Sequence, residues 1–144
     1  MEIRIKKTNE LSVSELLTIF QERVAVFVVE QQCPYQEVDA DDRDAWHVSL
    51  CENDQLKAYA RVMLREDHVT FGRVLVVDKF RRQGLGEQLV QAVLADIRQR
   101  FPKMPIKISA QSYLQDFYSR FGFKATSEIY LEDGIPHLDM LKNA

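Results

Sequence analysis

The stretch from Gly72 to Phe101 reads GRVLVV, then DKFRRQGLG, then EQLVQAVLADIRQRF. Its first part is short, apolar and rich in β-branched residues, which predicts a strand. Its last part places Leu85, Leu89, Val90, Val93, Leu94, Ile97 and Phe101 at helical spacing, with Glu87, Gln88, Gln91, Arg98 and Gln99 opposite. Between them lies a basic loop carrying Gly84 and Gly86. A strand running through glycines into a helix start aims unpaired backbone N–H groups, and the positive end of the helix dipole, at one spot. Glycine lets a bulky anion reach that backbone, so the stretch predicts a phosphate cradle, with Arg81 and Arg82 adding attraction.

Outward from this segment the chain alternates strands and helices. Ile3 and Ile5 predict a first strand, and Ser12 with Glu15 a capping box opening a helix with Leu16, Leu17, Phe20, Val24 and Phe27 on one face. The end of that helix is ambiguous, because Val24 to Val29 is apolar all round. Residues Gln31 to Asp44 are expected to be irregular. Trp46–Cys51 and Leu56–Leu64 flank the turn pair Asn53-Asp54, and Val69–Val77 follows a looser turn. After the long helix come a strand at Ile106–Ala110 and a helix at Leu114–Phe121 stopped by Gly122. Two strands follow, Phe123–Leu131 and Pro136–Leu141. This order predicts a mixed α/β (α+β) domain spanning residues 1–144, with hairpins first and one parallel crossover around the long helix.

Composition narrows the function classes. With 144 residues, 46% hydrophobic and 28% charged, the chain fits one globular domain. A net charge of −3 argues against a general nucleic-acid binder. No apolar run is long enough to span a bilayer or form a signal peptide, so no membrane association is expected. Two cysteines, Cys33 and Cys51, fit reduced thiols and a cytoplasmic location. The cysteines and His47, His68 and His137 show no metal-site spacing, so no metal is expected. The acids Glu37, Asp39, Asp41, Asp42 and Asp44 do not fit a calcium loop, because Arg43 and Asp44 stand where a ligand and a glycine are needed. They remain either a solvated loop or a negative rim that attracts a cationic amine.

The loop is neither a P-loop nor a dinucleotide fingerprint: the Gly-Lys-Ser/Thr ending and a third glycine are both missing. Arg81-Arg82-Gln83-Gly84-Leu85-Gly86 instead resembles the [Q/R]-x-x-G-x-[G/A] loop of the GNAT superfamily of acyl-CoA-dependent N-acetyltransferases. Downstream, Phe117-Tyr118-Ser119-Arg120-Phe121-Gly122-Phe123 resembles that family's [L/F]-Y-x-x-x-G-F helix end. The segments Val26–Tyr35 and Tyr130–His137 are similar to the ElaA-type group within it. The resemblance implies a central, mostly antiparallel twisted sheet with flanking helices, and a strand that bulges and splays from its neighbour.

It also implies acetyl-CoA as co-substrate, an amine-bearing acceptor, and a homodimer, since relatives often pair. Carried over, the CoA pyrophosphate would lie on the backbone of Arg82, Gln83, Gly84, Leu85, Gly86 and Glu87. The pantetheine arm would run along Leu75, Val76 and Val77. Tyr118 matches the general acid, although a Tyr beside Phe117 and Phe121 also fits plain packing. The sequence departs from the family twice. Gln111 replaces an asparagine that contacts CoA, and Ile106 stands where several members carry a glutamate base. A base must therefore come from elsewhere, and Glu30 and His47 are the candidates. Glu30 closes an apolar run, where desolvation would raise its pKa, and His47 titrates near neutrality. His137 and Glu132 are expected at the acceptor cleft. A CoA-binding module without catalysis, acting as a sensor or scaffold, is the alternative to an enzyme.

Overall fold

The computed structural model describes residues 1–144. Strands β1 (Glu2–Lys7), β2 (Trp46–Glu52), β3 (Gln55–Leu64) and β4 (Val69–Val76) form an antiparallel meander, with α1 (Val13–Val24) between β1 and β2. Helix α2 (Leu85–Arg100) crosses over to β5 (Ile106–Gln111), which lies parallel to β4. Helix α3 (Gln115–Ser119) then leads to β6 (Lys124–Ala125), β7 (Tyr130–Glu132) and β8 (Ile135–Lys142). The sheet order is β1-β2-β3-β4-β5-β8-β6, with β7 also on β8. Every pairing but β4–β5 is antiparallel, as expected.

Two features of β4 open the sheet. Between Tyr59↔Leu75 and Arg61↔Gly72, β3 advances two residues while β4 advances three. The extra residue is a bulge, and Arg73 within it has φ +50°. Beyond it the strands part: β4 and β5 pair only at Val69↔Ile106. From there to Val76 the β4 edge that faces β5 carries no ladder, leaving its backbone groups, apart from the Val76 carbonyl that Arg81 takes, for another partner.

The predicted face of α2 is the buried one: Leu85, Leu89, Val90, Val93 and Ile97 pack on Val48, Leu50, Ala60 and Val62. The face of α1 is rotated from its prediction. Ile19, Arg23, Val26 and Phe27 are buried, whereas Leu17 is exposed. The reason is electrostatic. Fully buried Arg23 takes Asp42 in a two-pronged pair at 2.6 and 2.9 Å and Glu37 at 3.0 Å. Arg61 adds Asp39 at 2.7 Å, Arg65 takes Asp41 at 2.9 Å, and Arg73 lies 2.6 Å from Glu37. Asp44 pairs with Lys7. The acidic stretch is therefore neither a solvated loop nor a negative rim. Its carboxylates are matched by four arginines and Lys7, and burying Arg23 is tolerable only because both acids meet it.

Later elements differ in detail. The helix expected at Leu114–Phe121 is a 3₁₀ turn at Ser112–Leu114 followed by α3, and Gly122 closes it at φ +94°. The N–H of Phe123 donates to the Tyr118 carbonyl and that of Gly122 to Ser119, a Schellman-type cap. The strand expected over Phe123–Leu131 is broken into β6 and β7, because Ser127 Oγ accepts the Asp139 N–H (2.8 Å) that a continuous ladder would use.

His47 lies in β2, 1% exposed. Thr8 Oγ1 donates its one hydrogen to the Asp42 carbonyl, so at 2.7 Å from His47 it accepts from Nε2–H. Nδ1 then accepts from the Tyr59 hydroxyl at 2.6 Å. Both nitrogens of the neutral ring are satisfied, and burial pushes its pKa down to about 4. A folded-state value below the free value of 6.5 means that the unfolded chain binds the extra proton. Stability is intact above pH 6.5 and falls as pH drops toward 4, by at most about 1.4 kcal/mol per pH unit. Urea midpoints measured across this window should decline for the wild type and stay flatter for His47→Gln. Parallel curves would remove His47 as the cause.

Candidate active site

The splay between β4 and β5 holds two clefts that share one wall. The first, about 370 Å³, is lined by Val74, Leu75, Val76, Arg82, Gly84 and Gly86, with Val26, Phe27 and Glu30 from the turn after α1 and Phe117 and Tyr118 from α3. The helix start at its end has no side-chain cap, and the N-cap residue Gly84 sits at φ +74°. The orphan N–H groups of the first turn of α2 are thus left without a side-chain partner, the arrangement that suits an anion. A Cβ on Gly86 would sit 3.9 Å from Phe117 and Val76, an ordinary contact, so the protein itself does not demand glycine there.

The structure brings together most of the residues expected to hold CoA. Leu75, Val76, Arg82, Gly84, Leu85, Gly86 and Gln111 line the first cleft. Gln83 and Glu87 are exposed at the mouth of the loop without lining it. Val77 turns away, its N–H donating to the Lys57 carbonyl at 2.9 Å, and Val74 takes its place on the wall. Arg81 is not a free attractor of anions. It holds Glu30 through two bonds of 2.9 Å and donates from Nε to the Val76 carbonyl at 3.0 Å.

The second cleft, about 310 Å³, lies between the bulge of β4 and the β7–β8 hairpin. Arg61, Arg65 and Arg73 stand on one wall, and Glu132, Asp133 and His137 on the other. The two clefts share Phe27, Gln31, Val74, Gln111, Leu114 and Tyr118. Tyr118 is 4% exposed, edge-on to Phe117 and close to Phe71 and Phe123. Burial pushes its phenol well above the usual tyrosine range, so it keeps its proton throughout neutral pH. The ring is packed, as one sequence reading expected, and it lies where the two clefts meet.

Neither candidate base has the surroundings expected of it. Glu30 lines the first cleft, but Arg81 holds its carboxyl below the usual range, the reverse of the expected desolvation. His47 lines a separate crevice between α1 and β1–β2 that shares no residue with either cleft. Sequence reasoning also missed Phe27 and Gln31. Phe27 lies in a six-residue π-helical turn, Ala25–Glu30, that continues α1, and Gln31 is the residue that caps it. Such turns are frequent at functional sites, and the all-apolar run Val24–Val29 was the one available signal.

Comparison with known proteins agrees with this geometry. The model of the Acetyltransferase (GNAT) domain matches residues 15–144. Protein ElaA of Escherichia coli is 45% identical over 139 residues, covering 93% of this chain and 91% of that protein. The crystal structure of E. coli ElaA superposes with a TM-score of 0.95 at 42% identity, covering 99% of this chain and all of that one. An acyl-CoA N-acyltransferase from Pseudomonas aeruginosa superposes with a TM-score of 0.93 at 39% identity over 99% of both chains. From the glycine loop to the Tyr118 helix end, and over most of its length, the chain belongs to the GNAT acetyltransferase family.

Proposed function

We propose that the protein transfers the acetyl group of acetyl-CoA to a primary amine by direct attack, with Tyr118 as general acid. The observation that carries this reading is the meeting of the two clefts at Tyr118. One cleft offers an uncapped helix N-terminus and an unpaired strand edge, suited to a pyrophosphate and an amide-bearing arm. The other is a separate approach from the opposite side of the splay. A thioester carbonyl at the junction is then open to an amine, while the departing sulfur has a proton donor beside it. The neighbouring P. aeruginosa structure, described as an acyl-CoA N-acyltransferase, supports the same class of reaction.

Release of CoA from acetyl-CoA, followed with a thiol reagent against small primary amines and amino-acid amides, tests the reading. An acceptor-dependent increase with a mass gain of one acetyl group is expected. CoA binding with release no faster than buffer hydrolysis for every amine would instead favour a CoA-binding module without catalysis.

A further inference from the structure

His137 is the second buried histidine, and its hydrogen bonds are the reverse of those at His47. It lies on β8 in register with Gln111 of β5 and Tyr130 of β7, and it lines the acceptor-side cleft with Tyr118. Its Nδ1 is 2.7 Å from the Ile135 carbonyl oxygen. A carbonyl oxygen only accepts, so Nδ1 carries the hydrogen and the neutral ring has its lone pair on Nε2. Nε2 lies 3.5 Å from Glu132 Oε2, the one carboxylate in contact with the ring. The Tyr130 ring stacks on it with centroids 6.4 Å apart. Ser109 and Asp139 hold the Tyr130 hydroxyl at 2.6 Å each. Tautomer, ring plane and a counter-charge for the protonated form are all set by the fold.

We propose that Nε2 of His137 is the proton acceptor for the incoming ammonium group, with Glu132 positioned to stabilise the imidazolium that forms. The inference rests on the amine-acetylation reading and supplies the base it lacks. Nε2 takes one proton from the ammonium and later yields it to solvent. The freed nitrogen lone pair forms the C–N bond, the C–S bond breaks, and Tyr118 protonates the sulfur. The second amine proton restores the Tyr118 phenol. The products are amide, CoA thiol and one released proton.

The other charged groups around the cleft are Asp133 in the hairpin turn and, on the opposite wall, Asp41, Arg61, Arg65 and Arg73. Each of these arginines already faces a carboxylate, and Tyr35 and Tyr118 are neutral phenols there. Glu132 is thus the nearest charge able to steady an imidazolium.

The test compares wild type, His137→Gln and Glu132→Gln with acetyl-CoA and ethanolamine, glycinamide or benzylamine between about pH 6 and 9.5. His137→Gln should lower kcat/KM for the amine about 10²-fold near neutrality and leave KM for acetyl-CoA unchanged. Its log rate should rise with unit slope up to the ionisation of the amine itself, because only pre-formed free amine reacts, whereas the wild type levels off earlier. Glu132→Gln should lie between the two, with its acid limb displaced. A wild-type rate and profile in His137→Gln, alongside amine-dependent wild-type turnover, overturns this inference alone. Absence of amine-dependent turnover in the wild type overturns the functional reading and this inference with it. Ring-nitrogen NMR of the free protein, assigned by loss of the signal in His137→Gln, should show the Nδ1–H tautomer; an Nε2–H tautomer overturns the proposal independently of any acceptor.

Discussion

Gly84→Asp is expected to fold and to lose CoA affinity by at least about 10³-fold, roughly 4 kcal/mol. In the free protein a Cβ at this position meets no atom within 4 Å. The cost to the fold is the left-handed φ of +74°, about 1–2 kcal/mol for a residue other than glycine. An aspartate oxygen near the uncapped α2 N-terminus offsets part of that by accepting one of its free N–H groups. The same placement is ruinous for a pyrophosphate. The carboxylate occupies a donor the ligand needs and sets a negative charge against a dianion in the one spot where the helix dipole favours an anion. One lost hydrogen bond to a charged ligand, at about 1.5–3 kcal/mol, together with the charge repulsion reaches the expected loss. Calorimetric titration with CoA, beside a thermal melt of the free variant, separates binding from folding. Gly84→Ala, with the strain but no charge, should fall between the two. An unchanged CoA affinity in Gly84→Asp would place the pyrophosphate elsewhere.

What could be read before any coordinates were known follows from which signals are local. Strand, glycine loop and α2 were legible because one segment carries its own periodicity and punctuation, and the buried residues of α2 match that periodicity. The face of α1 was misread because an apolar pattern has no place for a buried Arg23. Its burial depends on Glu37 and Asp42, far along the chain, and no periodicity reports a partner at that distance. The same pairing turned an apparent acidic rim into a charge-matched cluster. The desolvation expected at Glu30 failed for a related reason: the apolar run that suggested it ends opposite Arg81. His47 and His137 show the limit most plainly. Residue type makes them equivalent, and only their neighbours distinguish a ring with both nitrogens engaged from one with a free lone pair. The β4 bulge was expected only through family resemblance. In the structure it is a one-residue register shift that no composition signal announces.

Tyr118→Phe is expected to reduce turnover by about 10³-fold while leaving CoA affinity and stability nearly unchanged. The substitution removes one oxygen and keeps the ring that packs on Phe71, Phe117 and Phe123. Stability is therefore not the readout that moves. The phenol is less acidic than a free tyrosine because burial penalises its anion. A thiolate leaving at the same junction is desolvated by the same walls, so its own proton affinity rises with it. Proton transfer therefore becomes favourable only as charge develops on sulfur, which is the behaviour wanted of a general acid. The loss should fall on kcat, with KM for acetyl-CoA unmoved, because the hydroxyl acts on a bond that breaks after binding. A packing role predicts no loss in either constant: a ring that only supports the cleft wall loses nothing when its oxygen goes. Equal turnover of wild type and Tyr118→Phe across the pH range would remove Tyr118 as the acid, whereas a deficit confined to kcat assigns it the proton that the departing sulfur takes.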